Sequence, residues 1–244
     1  MMTVTQQEPE RLRARLEEVR RRVEKSARLS GRAPEEVTLI AVSKTHPAQV
    51  LREAIAAGAR EFGENRVQEA DSKIMELGGD EGVRWHLIGH LQANKARRAV
   101  KLFDLIHTVD SAALVERLER VCAEEGRGRL DVLLQVDLAG EATKSGACEN
   151  DLPALAETFG ACERVRCVGL MTLPPFSEDV EAARPYFRRL RELRDAQRAR
   201  GLFGDGAGEL SMGMSHDFEA AIAEGATLVR VGTAIFGERG GPAL

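Results

Sequence analysis

Eight short strand-like runs recur along this chain, the first of them apolar and rich in β-branched residues, and each but the last is followed by a stretch with helical spacing. This alternation constrains the fold most tightly, because the two-residue period of a strand and the 3.6-residue period of a helix are not interchangeable. The runs cover residues 37–44, 60–64, 85–89, 105–110, 131–138, 165–173, 209–213 and 228–236. Pro47 suits the first turn of the helix after the first run, and Gly58 is placed to end it. Further helices are predicted up to about residue 77, through 103, and over 111–126, 151–162, 180–201 and 215–225, with Ser111 as an N-cap. Eight strand–helix units in 244 residues suit a closed (β/α)8 barrel of the TIM type, an α/β fold that needs about 250 residues. An open doubly wound sheet is the alternative. No linker or low-complexity stretch interrupts residues 1–244, which predicts a single domain.

One extra helix precedes the repeats, over about residues 8–29. Leu12, Leu16, Val19, Val23 and Ala27 form an apolar stripe at helical spacing. Its arginines (Arg11, Arg13, Arg15, Arg20, Arg21, Arg22) are interleaved with glutamates, the pattern of a solvated face. The run from Arg188 to Arg200 has the same character.

Composition narrows the function. The formal net charge is −4, against the basic balance expected of a nucleic-acid-binding protein. No apolar run approaches the ~20 residues that span a bilayer, and the N-terminus has no apolar leader, so a cytoplasmic protein without a membrane partner is expected. Cys122, Cys148, Cys162 and Cys167 form no C-x-x-C pair, which argues against a disulfide framework or a zinc site. His86 and His90 are spaced as H-x-x-x-H across a strand end with no obvious third ligand, so no metal is expected.

In such a barrel the chemistry lies at the C-terminal ends of the strands. The residues there are Lys44, Glu64-Asn65, His90, Asp110, the loop 140–146, Met171-Thr172, Met212 to Ser215 and Gly232-Thr233. Lys25, Lys73, Lys95 and Lys101 all fall on predicted helices, where a solvated lysine is expected. Lys44 instead ends an apolar strand, and period-2 alternation puts it on the face of Val42 and Ile40. Apolar surroundings disfavour the ammonium and free the amine for Schiff-base formation with an aldehyde; a lysine reaching solvent is the competing reading. The segments Ser211-Met212-Gly213-Met214-Ser215 and Val229-Arg230-Val231-Gly232-Thr233 put glycines and hydroxyls at the last two strand ends, where barrels often bind phosphate. An aldehyde bearing a phosphate fits both features, either pyridoxal 5'-phosphate or a sugar phosphate. Arg230 shares a strand face with Gly232, and a guanidinium there would keep a pyridine nitrogen unprotonated.

The motifs together resemble the pyridoxal phosphate homeostasis protein family, whose barrel is related to the N-terminal barrel of alanine racemase. They are Ala41-Val42-Ser43-Lys44-Thr45, Phe62-Gly63-Glu64-Asn65 with Gln68-Glu69, Trp85-His86-Leu87-Ile88-Gly89-His90-Leu91-Gln92 with Asn94-Lys95, His107-Thr108-Val109-Asp110, Lys144-Ser145-Gly146, Gly169-Leu170-Met171-Thr172, and the two glycine segments extended to Gly237. The resemblance implies a fold-type III barrel lacking the second β-domain of the racemases. It implies pyridoxal 5'-phosphate held as a covalent imine on Lys44. Ser215, Gly232 and Thr233 then hold the phosphate with Met214 nearby, Arg230 sits against the pyridine nitrogen, and Asn65 lies close to the cofactor.

Racemases of that kind take a second base, a tyrosine, from a separate β-domain. Tyr186 is expected on the helix after the sixth strand, away from the mouth. The expectation is therefore a carrier that holds the cofactor and passes it to apo-enzymes without turnover of its own, and a monomer. Lys144 is the candidate second lysine for transfer. An amino-acid racemase and a Schiff-base aldolase acting on a phosphorylated substrate are the alternatives.

Overall fold

The computed structural model describes residues 4–79, 82–140 and 145–238. Helix α1 (Val4–Leu29) comes first. Eight strands follow, β1 (Thr38–Val42), β2 (Glu61–Glu64), β3 (Arg84–Leu87), β4 (Leu105–Val109), β5 (Leu130–Gln135), β6 (Val165–Met171), β7 (Glu209–Met214) and β8 (Leu228–Val231). Between them run α2 (Ala48–Ala56), α3 (Val67–Leu77), α4 (Ala96–Leu102), α5 (Ala112–Glu124), α6 (Leu152–Gly160), α7 (Arg184–Ala199) and α8 (Phe218–Ala223), and α9 (Thr233–Phe236) follows β8. The strands pair in sequence order, and β8 returns in parallel to β1, with Ile40 opposite Arg230 and Ala41 opposite Val231. The sheet is thus the closed barrel, not the open alternative.

Period-2 alternation divides the apolar residues into two cores. Ile40, Leu105, Leu133, Met171 and Leu228 fill the barrel interior. Ala41, Ile106, Leu134, Leu210 and Val229 face the helical ring and join its larger core. The expected stripe of α1 is buried in that outer core as well.

The eighth strand is shorter than the sequence suggests. It ends at Val231, and Ile235 and Phe236 are buried from α9 instead of continuing the strand. The α1 arginines also do more than face water. Arg15 Nε donates to the carbonyl of Ile235 (2.8 Å), and Arg20 donates to those of Ala57 and Gly58. Arg22 pairs with Glu219 and lies over the Phe218 ring.

The α7 run is likewise tied down. Arg184, Arg188 and Arg191 converge on the buried Glu224, at 3.4, 3.0 and 3.2 Å. Burial alone would raise the Glu224 pKa, but the Arg188 hydrogen bond and charge, aided by Arg184 and Arg191, hold it below its ordinary value. A carboxylate with a depressed native pKa stabilises the fold above its unfolded pKa and loses that contribution as pH falls. Glu224→Ala is expected to cost about 1–2 kcal/mol at neutral pH, since the arginines stay partly hydrated. In thermal unfolding its deficit relative to wild type should shrink as pH drops below about 4.

Candidate functional site

The loops that follow the strands define the barrel mouth, and Lys44 stands two residues beyond the end of β1, half-buried. Both neighbouring peptides are gripped. Lys73 Nζ, from α3, donates to the Ser43 carbonyl (2.8 Å), and the Thr45 N–H donates to Glu69 Oε1 (2.5 Å). Lys73 also pairs with Glu64 and Glu69, each at 2.7 Å, and the Ser43 hydroxyl donates to Glu64 (2.6 Å). Thr45 has φ +70°, a left-handed conformation that a β-branched residue avoids unless its surroundings impose it. Lys73, expected to be solvated, is instead buried as the keystone of this clamp. Burial pushes the Glu64 carboxyl up, against the opposing Lys73 and Ser43 hydrogen bonds. For Glu69 the Lys73 and Thr45 contacts outweigh burial and lower the pKa.

The last two strands supply the other half. Ser215 follows the end of β7, and its Oγ accepts from the N–H of Gly232 (3.1 Å) and of Ala234 (3.4 Å). Ser215 precedes α8, which begins at Phe218 and not at Ser215 as the sequence suggests. Asp217 closes that turn by accepting the Met214 N–H. Gly213 has φ +90°, and a Cβ there would lie 2.6 Å from that of Ala221, so only glycine lets α8 pack this closely. Gly232 lies against Val42, within ordinary contact distance of an added Cβ, which puts β8 beside the strand that carries Lys44. Thr233 is exposed and Met214 half-buried at the same rim. Asn65 follows β2 on the other side of Lys44, and its carbonyl packs against Gly89. Strands β7, β8, β1 and β2 are consecutive around the barrel, so Met214, Ser215, Arg230, Gly232, Thr233, Lys44 and Asn65 share one arc.

Arg230 is buried in the interior beneath this arc. Its guanidinium donates to Ser211 Oγ (2.5 Å) and to the Thr172 carbonyl (3.0 Å). Among the described residues no carboxylate lies within ion-pair distance of it. Burial pulls its pKa down to about 10, with the Asp217 charge opposing. A buried cation held only by neutral groups suits an additional acceptor.

Behind Arg230, His86 and His107 lie 2.9 Å apart, joined to Glu61 at one end and Ser211 at the other. The sequence spacing grouped His86 with His90, but His90 is exposed and faces Asp110 at 3.7 Å. His107 and Ser211 lie in the sequence motifs and Glu61 in none, and spacing joins none of them to His86, because the group forms only when β2, β3, β4 and β7 come together in one barrel. Tyr186 lies in the first turn of α7, on the outer ring but at its mouth end, nearer the rim than expected. Lys144 lies outside the described residues. All four cysteines are free thiols, and burial raises the Cys167 pKa to about 12. Among the described residues no helix is long and apolar enough to cross a membrane.

Residues 12–240 match the family model described as alanine racemase, N-terminal domain, which sets the class of this barrel. An alanine racemase of Clostridium difficile 630 superimposes with a TM-score of 0.71 at 15% identity, over 96% of this chain and 58% of that one, a likeness of fold. The chain belongs to the pyridoxal phosphate homeostasis protein family. It is 46% identical to the Pyridoxal phosphate homeostasis protein of Pseudomonas aeruginosa over 224 residues, covering 91% of this chain and 94% of that one. The solved structure of PipY from Synechococcus elongatus PCC7942 with PLP bound superimposes with a TM-score of 0.75 at 44% identity, over 88% of this chain and all of that one.

Proposed function

We propose that this protein holds pyridoxal 5'-phosphate as a Schiff base on Lys44 and passes it to apo-enzymes, acting in cofactor homeostasis without amino-acid turnover. The observation that carries the proposal is the placement of Arg230, a buried guanidinium with no carboxylate partner among the described residues, on the strand that adjoins the Lys44 strand. The names of the relatives and the pyridoxal phosphate bound to PipY support the same reading. When bound, the cofactor supplies an aldehyde that condenses with an amine and a ring that withdraws electrons.

The residues of this chain take distinct parts in that reading. The clamp on Ser43 and Thr45 fixes the backbone from which Lys44 presents its amine. Ser215, Gly232 and Thr233 would hold the phosphate, the Gly232 N–H exchanging Ser215 Oγ for a phosphate oxygen, with Met214 and Asn65 at the rim. Arg230 donates to the pyridine nitrogen and keeps it unprotonated, which weakens the ring as an electron sink and suits storage over carbanion chemistry. The chain has a single tyrosine, and Tyr186 stands on the outer ring, so this chain brings no tyrosine base to the interior of the barrel. Lys144 is the proposed second amine for exchange during release, and the protein acts as a cytoplasmic monomer.

The test is borohydride reduction of the loaded protein followed by peptide mapping and two assays. The expected result is a pyridoxyl group on Lys44, reactivation of an apo-enzyme, and no racemisation of alanine. Racemisation that is lost in Lys44→Ala would overturn the carrier reading. A colourless protein that cleaves a sugar phosphate would replace the cofactor with a substrate.

A further inference from the structure

We infer that Glu61, His86, His107 and Ser211 form a hydrogen-bond relay of fixed polarity that positions the Arg230 guanidinium from the opposite end of the barrel. The inference rests on the proposed part of Arg230 in holding the cofactor, but the relay itself is a property of the unloaded protein. Its members come from β2, β3, β4 and β7, and Arg230 from β8, so the chain of contacts spans the interior from wall to wall. Glu61 opens β2 at the N-terminal end and is partly exposed. From there the distances are 2.6 Å from Glu61 Oε2 to His86 Nε2, 2.9 Å from His86 Nδ1 to His107 Nε2, 2.8 Å from His107 Nδ1 to Ser211 Oγ, and 2.5 Å from Ser211 Oγ to Arg230 Nη1. His86, His107, Ser211 and Arg230 are all buried.

The polarity follows from donor and acceptor capacity. Burial opposes ionisation of Glu61, but the His86 hydrogen bond and Arg84, 3.4 Å away, hold its pKa below the ordinary value. A carboxylate only accepts, so His86 donates from Nε2. His107 is kept neutral by burial, with the Arg230 charge acting in the same direction. At the far end Arg230 only donates, and Ser211 Oγ therefore accepts from it. The Ser211 proton then has one acceptor among the described residues, His107 Nδ1. That leaves His107 protonated on Nε2, donating to His86 Nδ1. Both imidazoles are therefore neutral Nε2–H tautomers, and every bond points from Arg230 towards Glu61. The reverse polarity needs a cationic His86 and leaves the Ser211 proton without an acceptor among the described residues. A buried donor left unpaired is unfavourable, and a second buried cation near Arg230 adds to that penalty.

The arrangement makes the two histidines and Ser211 positioning residues. They act on the cofactor only through Arg230, one N–H of which they hold while the Thr172 carbonyl holds another. The test is ¹⁵N NMR of histidine-labelled protein, unloaded and loaded with pyridoxal phosphate. His86 and His107 are expected to show an unprotonated Nδ1 and a protonated Nε2 in both states. Glu61→Leu removes the acceptor at the open end and should mix the two tautomers of His86, an effect that a space-filling role would not produce. Ser211→Ala is close to isosteric and should speed cofactor release about tenfold, the loss of one hydrogen bond to a charged group, with a shift in the pH midpoint of the visible band. Nδ1–H or imidazolium at either histidine of the unloaded wild type overturns the relay. If that spectrum matches expectation while wild type takes up no pyridoxal phosphate, the relay stands and the cofactor reading fails. Unchanged release and an unchanged pH midpoint in Ser211→Ala overturn the link from relay to cofactor.

Discussion

Lys44→Ala is expected to leave the protein colourless after incubation with pyridoxal phosphate, and borohydride should then fix no pyridoxyl group. On the proposed function, removing the amine removes the Schiff base and leaves the phosphate contacts and Arg230. Those are polar interactions in a rim open to water, so retention should weaken at least on the order of 100-fold, or about 2.7 kcal/mol. The fold should survive, because Lys44 lies past the end of β1 and half-buried while the neighbouring peptides are gripped through Lys73 and Glu69. Equilibrium dialysis against pyridoxal phosphate, beside a thermal melt, measures both halves of this expectation. Undiminished uptake with an unchanged melting temperature would move the anchoring amine elsewhere.

The second large effect is structural and needs no ligand. Gly169 lies in β6 opposite Glu209 of β7. A Cβ at Gly169 would lie 2.2 Å from the Glu209 carbonyl oxygen and 2.5 Å from its nitrogen. Both are backbone atoms of the next strand and cannot rotate away as a side-chain end could. Gly169→Ala must push β6 and β7 apart, at a cost of about 3 kcal/mol or more. In a chain of this size that lowers the melting temperature by roughly 6–12 °C. Gly128→Ala is the contrasting substitution, since nothing lies within 4 Å of the added methyl group. It should be neutral or stabilise by up to about 1 kcal/mol through the unfolded chain. Calorimetry of the pair would show whether the close approach, and not glycine loss as such, sets the difference.

Much of the site could be read from the chain because its logic is local. Lys44 stands out as the one lysine that ends an apolar run, and alternation places Ile40 and Val42 on its face. Arg230, Gly232 and Thr233 follow one another along a single strand end. The eighth strand was read too long because Ala234, Ile235 and Phe236 are as apolar as a strand requires. Their burial comes from a short helix after the turn at Gly232, and periodicity cannot separate those cases over so few residues. Lys73 was read as solvated because its helical position looks like that of any surface lysine. Its burial depends on Glu64, which belongs to the preceding strand. The same holds for Arg188 and Arg191, whose partner Glu224 sits on another element. The paired histidines were the least legible. His86 and His107 are 21 positions apart, and the contact between them depends on the register of β3 against β4, which composition and spacing do not encode.

The join between β1 and β8 has a consequence for how this chain is made. Arg15 reaches carbonyl partners 220 and 221 positions further on, and Thr38 pairs with Leu228 across the same join. A nascent chain lacks those partners until residues 228–236 have been made. Until then the sheet is an open ribbon with β1 and the latest strand as unpaired edges, the state most exposed to wrong pairing. Contacts of such sequence separation also make closure slow. The candidate site lies across that join, with Lys44 on one side and Arg230, Gly232 and Thr233 on the other. It cannot exist on a partly made chain, so occupancy of the site reports that the ring has closed.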